Sequence, residues 1–383
     1  MASRLPGRLL NLRLAAGHRL STLGRRRRPQ RPERILVCHH LLLGDTVMLA
    51  PLLAKLRALH PSAKIVMTSP RAWAPLFAGR PWDVTAVPFD PRRPETLRQL
   101  AREPGFDLAL VPGDNRFSWT AQALGARWIV AFEGDRPAYK SWPVDELRAW
   151  PGTPMALGDM FATLVDGPEP PPFAPGQWPA PPYRPFDLPQ PPFAVLHTGA
   201  STPLRRWPAR RWDALAQALA DRGLTVVFTV GPGEQALVDA VDPLHRFTRF
   251  ELDLAQVYAL LHRAALLVAP DTGISHVARI TGTPTVVLFG PGSVSLFGPG
   301  RFWASSPWTS ATVAPFPCRD QHRLFKRELP WVVRCTRSPR ECPAPRCMEA
   351  IEVDAVLAAC DTRLARGPQG GSDTPGRAEM RPA

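Results

Sequence analysis

The chain has 383 residues, of which 45% are apolar, so it is long enough for two domains with cores of their own. It contains no run of 18 apolar residues, which excludes a membrane-spanning helix, and its six cysteines are too few for a disulfide scaffold. Nine of the fourteen net positive charges lie in residues 1–34, which hold ten arginines and one acid. A basic segment on a nearly neutral body indicates attraction to an anionic membrane or to nucleic acid.

Residues 1–33 are therefore interpreted as a basic arm. Leu5, Leu9, Leu12 and Ala16 lie on one helical face among arginines, a pattern compatible with an interfacial membrane helix. We equally expect that the arm is disordered in solvent. The arm lacks the apolar core of a secretory signal, so we expect a cytoplasmic protein, peripheral on the inner membrane face.

Residues 34–167 alternate short apolar runs with amphipathic stretches, which predicts a doubly wound α/β domain with a parallel sheet. Strands are predicted at 34–38, 64–67, 84–87, 107–111 and 128–132, and helices at 45–59, 73–78, 95–102 and 119–124.

Residues 168–192 contain twelve prolines, which predicts a stiff, extended linker between two domains. A second alternating set follows the linker. Its strands are predicted at 193–197, 224–230, 266–269 and 285–289, and its helices at 209–221, 234–241, 254–262 and after Asp271. Two such halves imply a cleft lined by the loops at the carboxyl ends of the strands.

The stretch 266–291 reads as strand, tight turn, helix and strand. Asp271 and Thr272 are good N-cap residues, and the amino end of the helix offers free N–H groups to a phosphate. Gly273 lets the backbone approach an anion closely, and Ser275 and His276 add donors one turn later. The alternative is an ordinary capped helix with a core histidine.

Two further loops of the second half have anion-binding chemistry. His197-Thr198-Gly199 is followed by Arg205, and a glycine turn with an arginine suits a diphosphate, although a solvated surface turn explains it equally well. Gly231 is followed by Glu234, whose carboxylate either accepts hydrogen bonds from ribose hydroxyls or complements a helix dipole.

The first half has a carboxylate at the corresponding place. Asp45 follows Gly44 at the end of the loop after the first strand, where it serves either as a helix N-cap or as a general base for an acceptor hydroxyl. Asp114 lies at another strand end and is the alternative base.

In order, these motifs resemble those of glycosyltransferase family 9, the heptosyltransferases, across residues 34–362. The matching elements are Gly44-Asp45, Arg205-x-Trp-Pro after His197-x-Gly-Ala, Gly231-x-Gly-Glu234, Asp271-Thr-Gly-Ile-Ser-His276 and Phe289-Gly-Pro291. The resemblance implies the α/β GT-B fold, two Rossmann-like domains facing a central cleft. It also implies transfer of heptose from ADP-heptose to the lipopolysaccharide inner core.

The resemblance further implies that the two halves bind different substrates. Residues 34–167 would hold a glycolipid or glycan acceptor, 193–347 the nucleotide-diphosphate sugar, and 348–365 a closing helix that returns to the first domain, before a disordered tail at 366–383. Asp45 would be the catalytic base, and Arg205, where the family has lysine, would bind diphosphate. The donor residues implied are His197, Thr198, Gly199, Arg205, Gly231, Glu234, Asp271, Thr272, Gly273, Ser275, His276 and Gly290. The acceptor candidates at strand ends of the first half are His39, His40, Gly44, Asn115 and Arg116.

No metal or cofactor is expected, because arginine and a helix terminus can hold the leaving diphosphate. Cys318, Cys335, Cys342 and Cys347 cluster without a C-x-x-C pair, so reduced thiols and a zinc site both remain open. Two other functions are compatible with the chain. One is a nucleotide-sugar epimerase of the same architecture. The other is nucleic-acid binding by the arm, against which the body lacks recognition motifs, so no nucleic-acid partner is expected.

Overall fold

The computed structural model describes residues 5–21, 27–77, 81–174 and 176–366. Within them, two six-stranded parallel sheets are flanked by helices, which confirms the predicted doubly wound α/β class. Nearly all of the tail predicted at 366–383 and two pieces of the arm, 1–4 and 22–26, lie outside these described residues. No helix in the described part of the chain is long and apolar enough to cross a bilayer.

The sheet of the first half has the strand order β3-β2-β1-β4-β5-β6, and every neighbouring pair is parallel. Its central strands are apolar runs buried on both faces, as expected for a parallel sheet. The strands are β1 Arg34–Val37, β2 Lys64–Ser69, β3 Thr85–Pro88, β4 Leu108–Val111, β5 Trp128–Phe132 and β6 Glu146–Arg148. The helices are α1 Leu5–Ser21, α2 Leu43–Val47, α3 Ala50–Leu59, α4 Ala74–Phe77, α5 Pro94–Leu100, α6 Phe117–Ala123 and α7 Leu157–Ala162, with a 3-10 turn at Ala138–Ser141.

The sheet of the second half has the order β12-β11-β10-β7-β8-β9, again parallel throughout. Its strands are β7 Phe193–His197, β8 Thr225–Val230, β9 Thr248–Glu251, β10 Leu266–Pro270, β11 Thr285–Phe289 and β12 Trp308–Thr312. The helices are α8 Ala209–Asp221, α9 Gln235–Val241, α10 Leu254–Arg263, α11 Gly273–Thr281, α12 Val294–Phe297, α13 Arg346–Glu349 and α14 Val353–Ala365, with a 3-10 turn at Pro203–Arg205. A two-stranded antiparallel hairpin, β13 Arg323–Leu324 and β14 Arg327–Glu328, follows the sheet.

The long helix predicted at 45–59 is divided into α2 and α3. Pro51, at the start of α3, has no N–H group to donate to the carbonyl of Val47, so a continuous helix would lose a hydrogen bond there. The break leaves α2 as a short element that presents the loop after β1 to the second half.

One apolar core runs between the two halves, in addition to a separate core within each half. It includes Trp178 from the proline-rich segment, whose indole Nε1 donates to the Leu76 carbonyl at 2.8 Å. The hydroxyl of Tyr258 in α10 donates to the Trp178 carbonyl, also at 2.8 Å. The described residues of the proline-rich segment form no helix or strand. The contacts of Trp178 nevertheless pack this segment between the two halves.

Part of the N-terminal arm is helical. Leu5–Ser21 forms a helix that packs on α6, so the expectation of disorder is wrong for these residues. Its inward face carries Leu10, Leu14 and the buried Ala15, and the Asn11 side chain donates to the Thr120 hydroxyl at 3.0 Å. The face predicted from the sequence points outward, with Leu9 and Leu12 exposed.

The chain's last helix packs on the second half. We expected residues 348–365 to return to the first half, but α14 packs on α8 and on strands β10 to β12 of the second half. Val356 and Cys360 are buried in the second half's own core, which holds the helix there. A contact back to the first half is made instead by the β13–β14 hairpin, in addition to the shared core.

The hairpin reaches from the second half to the first. Phe325 and Lys326 form its turn with positive φ angles of 45° and 66°, and the Phe325 ring stacks on Trp150. Arg327 donates to the carbonyls of Gly113 at 3.0 Å and Glu133 at 2.7 Å, both at strand ends of the first sheet. These bonds tie the two halves together.

Candidate active site

The loop after β1 meets the amino end of α11 at the junction of the halves. A Cβ atom on Gly44 would lie 2.6 Å from the His276 ring, and one on Gly273 would lie 2.9 Å from Leu43. Any side chain at either glycine would push the two loops apart. The structure therefore brings Gly44, Gly273 and His276 together, as a cleft between facing strand ends requires.

Asp45 lies at this junction. Helix α2 begins at Leu43 with Leu42 in the N-cap position, so Asp45 is inside the first turn and is not the N-cap residue considered from the sequence. Burial raises the pKa of Asp45 to about 6, with Asp271 adding to the effect and Arg205 opposing it. A carboxyl group with a pKa close to neutrality is suited to accept a proton near pH 7.

Asp271 and Arg205 form the opposite side of the junction. The Arg205 Nη1 atom donates to the Asp271 carbonyl at 2.6 Å and lies 3.6 Å from its carboxylate. Burial opposes ionisation of Asp271, but Arg205, His276 and Arg279 outweigh it, so its pKa is lowered. Asp271 is therefore a carboxylate that holds Arg205 in place.

His276 contributes a neutral ring. Its Nε2 atom lies 3.7 Å from the Asp271 carboxylate. Burial, together with the charge of Arg279, lowers the pKa of His276 to about 4. The ring can therefore donate or accept one hydrogen bond at neutral pH without carrying charge.

Several buried polar atoms around this junction have no hydrogen-bond partner within the described chain. Such groups are rare in folded proteins because each costs about 1–3 kcal/mol, so a cluster of them indicates a ligand site. They include Thr198 Oγ1, Asp271 Oδ2, Thr272 Oγ1 and His276 Nδ1.

Glu234 lies beside the loop after β7. Its Oε2 atom accepts from the Gly231 backbone N–H at 3.0 Å, and the space where Gly199 would carry a Cβ is occupied by the Glu234 carboxylate. His197 is buried next to it, with Nδ1 3.1 Å from the Thr229 hydroxyl, and burial lowers the pKa of this histidine. The structure thus brings His197, Gly199, Gly231 and Glu234 together.

Two predicted donor residues have local structural contacts. The Ser275 hydroxyl donates to the Thr272 carbonyl at 2.8 Å, inside the first turn of α11. Gly290 packs directly against Met348 of α13, where a side chain would collide. Ser275 and Gly290 therefore contribute to the shape of the site through contacts within the protein.

The acceptor candidates behave differently. His39 is buried, its Nδ1 atom accepts from the Leu41 N–H at 3.1 Å, and burial lowers its pKa to about 3. His40 is exposed, and its ring stacks near Phe117. His39 therefore shapes the loop, whereas His40 lies at the surface.

Asn115 is fully buried, and its side chain is used within the protein. Its Nδ2 atom donates to the Phe132 carbonyl at 2.8 Å and to the Ser141 hydroxyl at 2.9 Å, and its Oδ1 atom accepts from Arg327 at 2.8 Å. We therefore withdraw Asn115 as an acceptor ligand: its contacts are structural.

Asp114, the alternative base, is paired with cations. Arg116 lies 2.6 Å from its carboxylate and Lys140 lies 3.1 Å away. Burial opposes ionisation, but the Arg116 hydrogen bonds and both charges lower the pKa of Asp114 to about 2. Such a carboxylate is a weak base, so Asp45 is the better candidate, and the charge of Arg116 is already engaged.

Two arginines on the segment after the second sheet could not be predicted from any local motif. Arg327 joins Asn115 and Asp135 at the first half, and Arg334 lies within electrostatic range of Asp45, Asp271 and Arg205. Neither lies in a strand–turn–helix motif, so only the fold could reveal them.

The four clustered cysteines line one cavity of about 430 Å³ near Pro291. All are free thiols. Across the ranges that the structure describes, no three histidine, cysteine or acidic side chains are spaced to hold a metal ion.

The sequence model described as glycosyltransferase family 9 (heptosyltransferase) matches residues 97–323 of this chain. A curated relative, lipopolysaccharide heptosyltransferase 1 of Pseudomonas aeruginosa, is 24% identical over 332 residues, which cover 78% of this chain and 92% of the relative.

Solved structures of similar fold include a glycosyltransferase family 9 protein from Veillonella parvula, with 18% identity and a TM-score of 0.67 over 87% of this chain and 98% of that one. The ADP-heptose LPS heptosyltransferase II of E. coli has 18% identity and a TM-score of 0.66 over 87% and 99% of the two chains. The E. coli heptosyltransferase WaaC with ADP has 16% identity and a TM-score of 0.63 over 86% and 99%. The predicted GT-B fold is confirmed.

Proposed function

The chain belongs to glycosyltransferase family 9, the heptosyltransferases, and on that premise we propose that it transfers heptose from ADP-heptose to a hydroxyl of a lipopolysaccharide core acceptor. The observation that carries the proposal is the junction itself. A half-buried carboxyl group with a pKa of about 6, on Asp45, lies within electrostatic range of Arg205 and Asp271 on the other half. The sugar and the acceptor are supported by the names of its relatives, a lipopolysaccharide heptosyltransferase and an ADP-heptose LPS heptosyltransferase.

In the proposed reaction, the acceptor hydroxyl attacks the anomeric carbon of the sugar while Asp45 takes its proton. The bond between the anomeric carbon and the diphosphate oxygen breaks, and ADP leaves with the electron pair. A sugar hydroxyl is a poor nucleophile until its proton is removed, so a positioned base contributes roughly 10²–10⁴-fold in rate.

The leaving diphosphate would be held by the second half. Arg205 offers the planar guanidinium fork that matches phosphate oxygens, and it is already oriented by its bond to the Asp271 carbonyl. The amino end of α11 supplies backbone N–H groups and the positive end of the helix dipole. These groups stabilise the charge that develops as the sugar bond breaks.

The nucleoside would lie beside Glu234. Its carboxylate accepts one bond from Gly231 and has acceptor capacity left for ribose hydroxyls, and Gly199 leaves room for it. The unpartnered hydroxyls of Thr198 and Thr272 would donate to phosphate or sugar oxygens.

We further propose that the N-terminal segment contacts the anionic membrane surface on which a glycolipid acceptor is presented. Helix α1 is packed on the first half, and Leu9 and Leu12 face outward beside the exposed Arg13. Apolar side chains flanked by arginine suit an interfacial helix, where each basic residue near anionic lipid adds about 1 kcal/mol at low salt.

The donor is tested by incubating the protein with ADP-heptose, UDP-glucose or UDP-N-acetylglucosamine and a heptose-free lipopolysaccharide core acceptor, with mass spectrometry of the products. We expect an added heptose and released ADP only with ADP-heptose. Transfer from a UDP-sugar alone would contradict the proposed donor, and donor consumption without acceptor would point to an epimerase.

Membrane contact is tested by sedimentation with vesicles of phosphatidylglycerol and phosphatidylethanolamine. Full-length protein should sediment with them at low salt, whereas a Leu9→Ser, Leu12→Ser variant should bind less. Equal binding by both would contradict a role for the outward face of α1.

A further inference from the structure

Arg334 lies on the chain between β14 and α13, outside both sheets. Its backbone pairs with Gln321 through two hydrogen bonds, of 3.0 Å and 3.3 Å. The next residue, Cys335, donates its N–H to the Pro291 carbonyl at 2.9 Å. These bonds fix Arg334 against the turn that follows β11.

That turn is itself part of the donor side. A Cβ on Gly292 would lie 2.6 Å from the Asp271 carboxylate, so the Pro291-Gly292 turn touches the acid that orients Arg205. Arg334 is therefore attached, one residue away, to the wall of the candidate diphosphate site.

The Arg334 side chain is half-buried but only partly satisfied. Its guanidinium carbon lies 5.5 Å from the centre of the Phe297 ring, and its Nε atom is buried without a hydrogen-bond partner in the described chain. A buried N–H donor on a fixed cation is costly unless a ligand accepts from it.

The neighbouring charges indicate what kind of ligand is missing. Burial and the like charge of Arg205 both lower the pKa of Arg334, while Asp271 and Asp45 raise it. Asp271 already engages Arg205, and Asp45 is half-protonated near pH 6. The guanidinium groups of Arg205 and Arg334 therefore share one fully ionised carboxylate, that of Asp271. A ligand with two or more negative charges would balance them.

We propose that Arg334 is a second guanidinium ligand of the donor's diphosphate, acting together with Arg205. The inference rests on the proposed use of a nucleotide-diphosphate donor. As the bond from the anomeric carbon to the diphosphate oxygen breaks, the electron pair stays on the diphosphate, and N–H groups of both arginines donate to its oxygens. The same cation favours the ionised form of Asp45, the form that accepts the acceptor's proton.

The test compares ADP with adenosine by calorimetry. Arg334→Gln keeps much of the stem over Phe297 but removes the charge, so ADP binding should weaken roughly 10- to 100-fold, the range for losing a hydrogen bond between charged groups. Adenosine has no phosphate, so its affinity should stay unchanged. Arg334→Lys should recover part of the ADP affinity because it restores the charge without the planar fork.

Arg323→Ala is the matched control, since it removes one arginine from the same segment at an exposed position. It should bind ADP as the wild type does. In Arg334→Gln, the acid limb of the pH profile of kcat/KM should also move to higher pH, because Asp45 loses a stabilising cation.

Unchanged ADP affinity in Arg334→Gln, or equal losses for ADP and adenosine, would overturn the inference while leaving the proposed reaction standing. Failure of the wild type to bind ADP would instead contradict the proposed function. A measurement of ADP binding by the wild-type protein distinguishes these two failures.

Discussion

The two sides of the junction differ in how their polar groups are satisfied. On the second half, buried hydroxyl, carboxylate and imidazole atoms of Thr198, Thr272, Asp271 and His276 have no partner in the described chain. On the first half, the side chain of Asn115 makes all its bonds within the protein, and Asp114 is paired with Arg116 and Lys140. The donor side therefore has a cluster of unpartnered polar atoms, whereas the acceptor side holds a closed network around Asn115 and leaves buried atoms such as His39 Nε2 and Arg116 Nε without a partner in the described chain.

This difference indicates separate roles for the charged residues of each half. Charges that face unpartnered groups, such as Arg205, are expected to affect ligand binding. Charges inside a closed network, such as Arg327, are expected to affect stability. We expect acceptor contacts to come from side chains at the surface of the network, such as the exposed Lys326 at the hairpin turn.

The largest effect is expected at Asp45, a carboxylate of the first half that lies within electrostatic range of Arg205 and Asp271. Asp45→Asn keeps the size of the side chain but removes its basicity, so turnover should fall by roughly 10²–10⁴-fold. Steady-state kinetics with ADP-heptose measures the loss.

ADP affinity should stay near wild type in Asp45→Asn, and the melting temperature should not fall, because the residue makes no capping bond. Asp114→Asn is the companion variant. Full activity in Asp45→Asn combined with loss in Asp114→Asn would reverse our assignment of the base.

The next effect concerns the closed network. Arg327 is buried and bonds to Gly113, Glu133 and Asn115, with Asp135 3.6 Å away. Arg327→Ala would leave Asp135 with one cation fewer, and breaking a buried charge pair costs about 3–5 kcal/mol. Urea unfolding should show that loss, whereas the exposed Arg323→Ala should change stability by less than about 0.5 kcal/mol.

A variant Arg327→Ala with wild-type stability but weaker ADP binding would contradict the separation of roles between the halves. The expected result is the opposite pattern, with ADP affinity retained as long as the protein is folded.

The fold and the donor side were largely predictable because both depend on local patterns. Buried parallel strands appear as apolar runs, and the loops that follow them carry Arg205, Glu234 and Asp271 within short motifs. The strands that were missed, β6, β9 and β12, are edge strands with mixed polar and apolar residues, so they have no continuous apolar run.

The acceptor side was less predictable because its contacts are distant in sequence. Arg327 meets Asn115 across 212 positions, and no local pattern marks either partner. Likewise, the helical face of α1 that packs inward carries Leu10 and Leu14, and arginine-rich surroundings gave no reason to prefer it over the face with Leu9 and Leu12. Which face of a surface helix is buried depends on the part of the protein against which the helix packs.

On the donor side, Arg205→Ala should weaken ADP binding by about 1.5–3 kcal/mol, the value of a hydrogen bond to a charged group. Calorimetry measures it. Folding should survive, because His276 and Arg279 still favour the ionised form of the Asp271 carboxylate when Arg205 is removed. Unchanged ADP affinity would remove Arg205 from the diphosphate site and would weaken the contrast between the halves.

The smallest effect is a dependence of stability on pH that has opposite signs at the two carboxylates of the junction. The folded-state pKa of Asp45, about 6, is above its ordinary value of 3.8. Because folding raises this pKa, the folded state is most stable when the Asp45 carboxyl group is protonated. This contribution to stability is lost as pH rises through about 6. Asp271 has a lowered pKa, so its ionised form stabilises the folded state above the ordinary value, and that contribution is lost as pH falls.

Asp45→Asn removes a carboxyl group whose ionisation destabilises the folded state. Relative to wild type, the variant should therefore gain stability between pH 4 and pH 7.5, by about 1–2 kcal/mol after allowing for screening at a half-buried site. Asp271→Asn should instead be less stable than wild type at pH 7.5, since it loses a favourable carboxylate. Urea unfolding at both pH values measures each difference. A gain for Asp45→Asn that is already complete at pH 4 would mean that ionisation is not its cause, and the carboxyl group of Asp45 would then not be held near neutrality by the junction.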